Sequence, residues 1–177
     1  MGIPGSMLWA GAGLLLALAL AGCASDGDAP AAEPSFYNSL ASADAKVDAA
    51  MAASMLSGYR SNNGLSAVRI DSELMKLAQA QAQAMAARDK LDHGVLRDFR
   101  SRLRSSGYDA NIAVENIGAG YHTLAQAFSG WRDSPPHRKN MLLPGATHIG
   151  IATAYAPNSK YKVFWSLILA APDRPRG

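Results

Sequence analysis

The sequence predicts an α+β domain built as a three-layer α-β-α sandwich. Three observations carry that reading. The last strand is apolar on both faces: Tyr161, Val163, Trp165, Leu167 and Leu169 alternate on one side, and Phe164 and Ile168 fill the other. A strand of that kind is covered on both sides. Segments with helical periodicity stand before and between the strands. Finally, 49% of the 177 residues are hydrophobic and 18% are charged. That is enough apolar material for one core of about 130 residues and excludes a wholly disordered chain. The net charge of +3 and pI near 9.1 are too mild to indicate a nucleic-acid partner. The acids are 11 Asp and 3 Glu, and one cysteine, Cys23, excludes an intrachain disulfide framework.

Residues 1–22 read as an export signal. Met7 to Leu20 carries no charge, and the first charged side chain is Asp26. An apolar run of this length is short for a membrane span and fits a signal peptide. It ends in Leu20-Ala21-Gly22-Cys23, which resembles the bacterial lipobox and predicts a lipidated Cys23. No Lys or Arg precedes the run, which leaves Met7 as a candidate start. Residues 23–43 are assigned to a flexible tether. Within it, Ala24 to Pro34 is small, acidic and proline-bearing and reaches at most about 35–40 Å. The folded domain is assigned to residues 44–172, with a tail at 173–177.

Within the domain, Ala45 to Ser61 is predicted as a helix with Val47, Met51, Met55 and Tyr59 on its inner face. Asp71 is the expected N-cap of a second helix, whose inner stripe is Leu74, Leu77, Ala78, Gln81 and Met85. His93 follows in a loop. A third helix is predicted over Leu96 to Ser105, burying Leu96, Phe99 and Leu103, with Arg97, Arg100 and Arg104 on a solvated face. Ile112 to Ile117 is a short strand. Thr123 to Gln126 is a capping-box pattern opening a fourth helix, which Ser134-Pro135-Pro136 breaks. His137 to Leu142 allows one more turn. Ile149 to Tyr155 and Tyr161 to Leu169 then form a hairpin about Pro157 to Lys160.

The polar residues at distinctive places are His93, Glu115, His122, Ser134, His137 and His148. Glu115 sits in an apolar strand, where an unpaired charge is expensive. Two imidazoles are suitable partners, either as hydrogen-bond donors or by sharing a divalent ion with the carboxylate. Both readings stay open, because no His-x-x-x-His or His-Glu-x-x-His spacing is present. Ser134 is expected to cap the His137 turn, His148 to lie at the surface or rim, and His122 to be exposed. A Ser134–His137 pair lacks an evident orienting acid, and no catalytic residue is assigned.

The ordered set Tyr59-Arg60, Gly64-Leu65, Asp71-x-x-Leu74, Ala82-x-x-Met85-Ala86, His93, Glu115-Asn116-Ile117, Trp131-x-x-Ser134-Pro135-x-His137-Arg138-x-Asn140-Met141-Leu142 and Ile149-Gly150-Ile151 resembles the CAP superfamily. This is the group of cysteine-rich secretory proteins, antigen 5 and pathogenesis-related 1, also called SCP domains. The resemblance is to its short bacterial branch and covers about Ala49 to Leu169. It implies the α-β-α sandwich and a cleft where two histidines and two glutamates often hold a divalent ion such as zinc. His93, Glu115 and His137 match three of those positions. The second glutamate is missing; Ser134 stands there with Asp133 beside it. The implied set is His93, Glu115 and His137 as ligands of a divalent metal, zinc foremost, with Asp133, Ser134, Asn116 and Asn140 as cleft neighbours. The implied function is a lipid-anchored binding module of the cell envelope. It would be held to the membrane through Cys23 and engage an envelope polymer, peptide or lipid. Its place would be the periplasmic face of the outer membrane in a Gram-negative cell, and otherwise the outer cell surface. The alternatives are a metal-dependent, peptidase-like hydrolase and a purely structural polar cluster.

Overall fold

A computed structural model of the chain describes residues 1–2 and 33–173. The expected signal peptide, Cys23, the first part of the tether and the end of the tail lie outside the described residues.

Residues 33–43 belong to the fold rather than to the tether. A single 3-10 turn spans Ser35–Tyr37. Leu40 is 5% exposed, within the main core, and its N–H donates to the His122 carbonyl at 2.7 Å. The apolar side chains Phe36, Leu40 and Ala41 draw this stretch onto the core.

Helix α1 runs over Ala49–Ser61. It starts four residues later than the periodicity predicts, because Asp48 caps it by accepting from the Met51 N–H at 2.9 Å. Its buried face is Ala52, Leu56 and Arg60, one residue out of phase with the predicted stripe. Strand β1, Arg69–Ile70, is two residues long and has no sequence signature. Helix α2 covers Ser72–Arg88, and the Asp71 carboxylate accepts from the N–H groups of Glu73 and Leu74. Helix α3 is Phe99–Ser105. Asp98 caps it at the Ser101 N–H, which leaves Leu96 outside the helix and exposed rather than buried. Strand β2 covers Ala110–Ala119. Helix α4, Leu124–Asp133, has the predicted capping box: Thr123 and Gln126 each accept from the other's N–H at 3.2 Å. Helix α5, Pro135–Met141, begins on the proline pair, which suits a first turn whose N–H groups need no partner. Ser134 stands at its cap position but makes no side-chain cap bond. Strands β3, His148–Tyr155, and β4, Val163–Pro172, close the chain.

The sheet order is β1-β3-β4-β2. β1 is parallel to β3, and the other pairs are antiparallel. β3 and β4 form the predicted hairpin, and β2 is an edge strand. Alternation along β4 sends Trp165, Leu167 and Leu169 into the core shared with Leu56 of α1, Trp131 of α4 and Met141 of α5. Ile168 and Ala170 turn the other way, onto Leu74 and Ala78 of α2 and Leu103 of α3. Phe164 continues that second face with Met85. The predicted three-layer α-β-α arrangement is thus the observed one.

Helix α2 lies directly on β3. A Cβ placed on Gly150 would meet the Leu74 carbonyl carbon at 2.1 Å and its oxygen at 2.2 Å. Both are backbone atoms and cannot swing aside. Gly150→Ala is therefore expected to cost about 3 kcal/mol, the upper range for an overpacked core. The check is the urea midpoint of the variant against the parent chain.

Candidate functional site

Glu115 is on edge strand β2, opposite Ile168, and shares the sheet face covered by α2 and α3. Its side chain is 1% exposed. Such a carboxylate needs a full set of donors. Arg102 of α3 supplies the first: its Nη2 donates to Oε2 at 2.8 Å and to Oε1 at 3.0 Å. His93 Nδ1 lies 2.9 Å from Oε2, and the Ser166 hydroxyl donates to Oε1 at 3.3 Å. Because the carboxylate accepts, the hydrogen bond fixes a proton on His93 Nδ1 and leaves Nε2 as the outward nitrogen.

Arg102 is itself held. Its Nε donates to the Arg97 carbonyl at 3.1 Å, and Nη2 reaches the His93 carbonyl at 3.3 Å. The guanidinium lies 5.4 Å from the Phe99 ring centre, within cation–π range. Gln81 of α2 donates to the carbonyls of Asp92 and His93 at 2.8 and 3.4 Å. The loop after α2 is thus tied at several backbone points, and the His93 ring follows from it. That ring is 54% exposed, although the acid behind it is closed from solvent.

His137 comes from the opposite layer. Asn116, next along β2, faces α5 and donates from Nδ2 to the His137 carbonyl at 3.0 Å. Asn140 Nδ2 donates to Asn116 Oδ1 at 2.8 Å and to the Glu115 carbonyl at 3.3 Å. These bonds dock α5 on the free edge of β2. The His137 ring is half-buried. Burial, and then the nearby His93, hold its imidazole below its usual value of 6.5, which favours the neutral ring.

Among the other expected residues, Asp133 pairs with Arg132 at 2.8 Å on the surface. Ser134 makes no side-chain cap bond to the α5 turn that carries His137. His148 is 4% exposed rather than at the rim. Its Nε2 accepts from Arg69 Nε at 2.7 Å, and its Nδ1 is 2.8 Å from the Thr147 hydroxyl. His122 is exposed as predicted. Arg102, Gln81 and Ser166 were missed as site residues.

Of the three predicted metal ligands, Glu115 is not placed as a direct one. Both Glu115 oxygens are engaged by a guanidinium, and His93 turns one nitrogen inward to the same carboxylate. Among the described residues, no group of three or more His, Cys, Asp or Glu side chains is placed to hold a metal. The His93 ring stands against a neutralised, buried ion pair, and His137 comes from the opposite layer.

Residues 53–169 match the family model described as CAP, cysteine-rich secretory protein family. The Bacillus subtilis protein YkwD is 36% identical over 97 residues, which cover 52% of this chain and 37% of that protein. The fold is similar to an extracellular protein containing an SCP domain from Bacillus anthracis, with TM-score 0.60 and 23% identity. That match covers 68% of this chain and 39% of the other. It is also similar to an outer surface protein of Borrelia burgdorferi, with TM-score 0.65 and 17% identity over 73% of this chain and 98% of that one. A cysteine-rich secretory protein of Staphylococcus aureus gives TM-score 0.57 and 17% identity, over 68% and 37%.

The lowered His137 value has a definite sign. The unfolded chain takes up a proton as pH falls below 6.5, while the folded chain resists it. The stability contributed by neutral His137 is full above that pH and is lost as pH falls toward the folded value. The urea midpoint of the parent chain should therefore drop between about pH 7.5 and about pH 5.5, and His137→Gln should flatten part of that drop.

Proposed function

The chain belongs to the CAP, or cysteine-rich secretory protein, family, and from that premise we propose that it is an exported, lipid-anchored binding module of the bacterial cell envelope. Two observations support export: the apolar segment ending in Leu20-Ala21-Gly22-Cys23, and the extracellular or surface description of two similar structures. Lipidation of Cys23 would hold the domain at a membrane, most durably with a second acyl chain on the new amino terminus.

The observation that carries the binding reading is the contrast in exposure at the site. The His93 ring is open to solvent, and the carboxylate that orients it is sealed. A hydrolase would require a base or nucleophile that reaches a bound water or substrate. Glu115 itself is not that group, since Arg102, His93 and Ser166 surround its oxygens; its part is to orient the His93 ring. What remains accessible is hydrogen-bonding capacity: the outward nitrogen of His93 and the neutral ring of His137. Those groups suit recognition of hydroxyl, amide or phosphate groups on an envelope polymer, peptide or lipid headgroup.

A second reading, that the cluster only stabilises the fold, draws support from the burial of the Arg102–Glu115 pair. The two readings part on ligand retention. Full-length chain immobilised by its carboxyl terminus is offered purified peptidoglycan, periplasmic peptides and anionic lipid vesicles in separate arms. Binding to one arm that weakens about tenfold in His93→Ala/His137→Ala supports the module. Equal retention by both chains, with only a lowered melting temperature in the variant, supports the structural reading. For the anchor, Cys23→Ser is expected to move the chain from the membrane fraction to the soluble one on cell fractionation.

A further inference from the structure

We propose that the open edge of β3 is a docking groove for an extended peptide of low charge, which adds to the sheet as a further strand. Past Ile149, no strand pairs with β3 on the β1 side among the described residues. Antiparallel pairing with β4 nevertheless keeps its register through Tyr155. Along that open stretch lies a groove of about 700 Å³, within the usual size of a ligand site. It is lined by Ile151 to Tyr155 of β3, by Ala45 to Val47 ahead of α1, and by Met75, Gln79 and Gln83 of α2.

Neighbouring residues of a strand turn their N–H and C=O groups to opposite sides. On the β1 side of β3, the Thr147 and Ile149 carbonyls accept from the Arg69 and Asp71 N–H groups at 2.9 Å. The chain then leaves the ladder, because the Asp71 carbonyl accepts from the Met75 N–H in the first turn of α2. From there, side chains stand where the backbone of a strand would. Met75 Sδ accepts from the Ile151 N–H at 3.3 Å, and Gln79 Nε2 donates to the Thr153 carbonyl at 3.2 Å. By the same alternation, the Ile151 carbonyl and the Thr153 N–H face this groove. The stand-ins are readily exchanged, since a thioether is a weak acceptor on a flexible side chain. A peptide carbonyl is a better partner for Ile151.

That pattern selects the occupant. Donors and acceptors recur along the edge at every second residue, about 6.5–7 Å apart, and an extended polypeptide meets them in series. An acyl chain would leave them covered without partners. Ala152 packs toward α2 and Ala154 follows on the same face, so small side chains leave room beside the glutamines. Among the residues lining the groove, Lys46 alone is charged, which suits a peptide neutral apart from one acidic side chain. The other sheet edge is built differently. β2 has a register shift between Ala110 and Ile112, and Asn140 and Trp131 donate to its Glu115 and Ile117 carbonyls. Bulges and covered edges of that kind oppose strand addition. From Ile151 to Tyr155, β3 runs without a register shift. β4 lies between this edge and β2, so the inference stands apart from the histidine site and its ligand.

The test offers the immobilised full chain, in detergent, a pool of short capped peptides in which Thr, Val, Ser and Ala surround one Asp. A second pool has the same side chains with the backbone nitrogens methylated, so that it cannot add as a strand. The first pool is expected to be retained at least ~10-fold better than the second. Thr153→Pro removes the outward N–H and leaves the β4 ladder intact. It is expected to melt as cooperatively as the parent and to retain both pools equally. If that variant folds poorly, Ala154→Arg, which fills the groove, carries the same comparison. In the complex, amide hydrogen exchange at Thr153 should slow by at least ~10-fold. His93→Ala/His137→Ala should retain the first pool as the parent does, so this proposal and the envelope-binding one fail separately. Equal retention of the two pools by the parent, or retention of neither, would overturn the inference. So would undiminished retention by a folded edge variant. Self-association of the parent that Thr153→Pro abolishes, with no peptide retained, would assign the edge to a second copy of the chain instead.

Discussion

A carboxylate buried on an edge strand is the constraint around which the cleft is organised. Glu115 cannot be left with water, and it cannot be left alone. Exposed pairs such as Lys76–Glu73 contribute about 0–1 kcal/mol. A buried pair behaves differently: forming it is close to neutral, but removing one partner costs about 3–5 kcal/mol. The pair is therefore a commitment more than a source of net stability. Once Glu115 is present, α3 must bring Arg102 to it, and the loop between α2 and α3 must lie where Arg102 and Gln81 can reach its carbonyls. The position of the His93 ring is a consequence of that chain of requirements.

A second buried arginine does comparable work on the other side. Arg60 of α1 donates to the carbonyls of Ser66, Met141, Leu143 and Ala146, at 2.9 to 3.0 Å. Its burial pulls its value below the usual one for arginine. The segment from Met141 to Ala146 has no regular secondary structure beyond the end of α5, so carbonyls there turn to a side-chain donor. By satisfying them, Arg60 fixes the exit of α5 and thus the helix that carries His137. Each imidazole is placed by a guanidinium that touches backbone, and neither depends on a flexible loop tip. Such a site is preformed, which lowers the ordering cost of binding.

Much of this architecture was readable from the residues. Periodicity of 2 in β3 and β4 gave the hairpin, and the two-faced apolar pattern of β4 gave the layers. Asp71 and the Thr123–Gln126 box gave two helix starts, because caps are local chemistry. What escaped was non-local. The stripe Val47, Met51, Met55 and Tyr59 looked like the core face of α1. Those four pack against the core from its flank, while the most buried row is Ala52, Leu56 and Arg60, since the small alanine permits close approach and the arginine meets carbonyls some 80 residues away. Leu96 looked buried until Asp98 took the cap and shortened the helix. Two-residue β1 is set by pairing with β3, not by its own composition. Arg102 was legible in principle. It falls between the solvated arginines, next to Leu103 and one turn after Phe99, on the inward side. A lone acid in an apolar strand required one permanent cation nearby.

Strand alternation explains why the cleft lies where it does. Neighbouring residues of β2 point to opposite layers, so Glu115 turns toward α2 and α3 and Asn116 toward α5. Their partners, His93 and His137, consequently belong to different layers of the sandwich. In an inner strand, the sheet itself would separate them. β2 has a neighbour on one side only, and on its free side the outward carbonyls of Glu115 and Ile117 are taken by Asn140 and Trp131 side chains. The edge is thus closed to strand pairing at those positions, yet both histidines can approach across it, near enough for the charge of one to act on the other. A ligand touching both imidazoles must bridge the two helical layers at the sheet edge. It would stabilise the docking of α5 and the α2–α3 loop together, although no covalent or regular backbone link joins those elements.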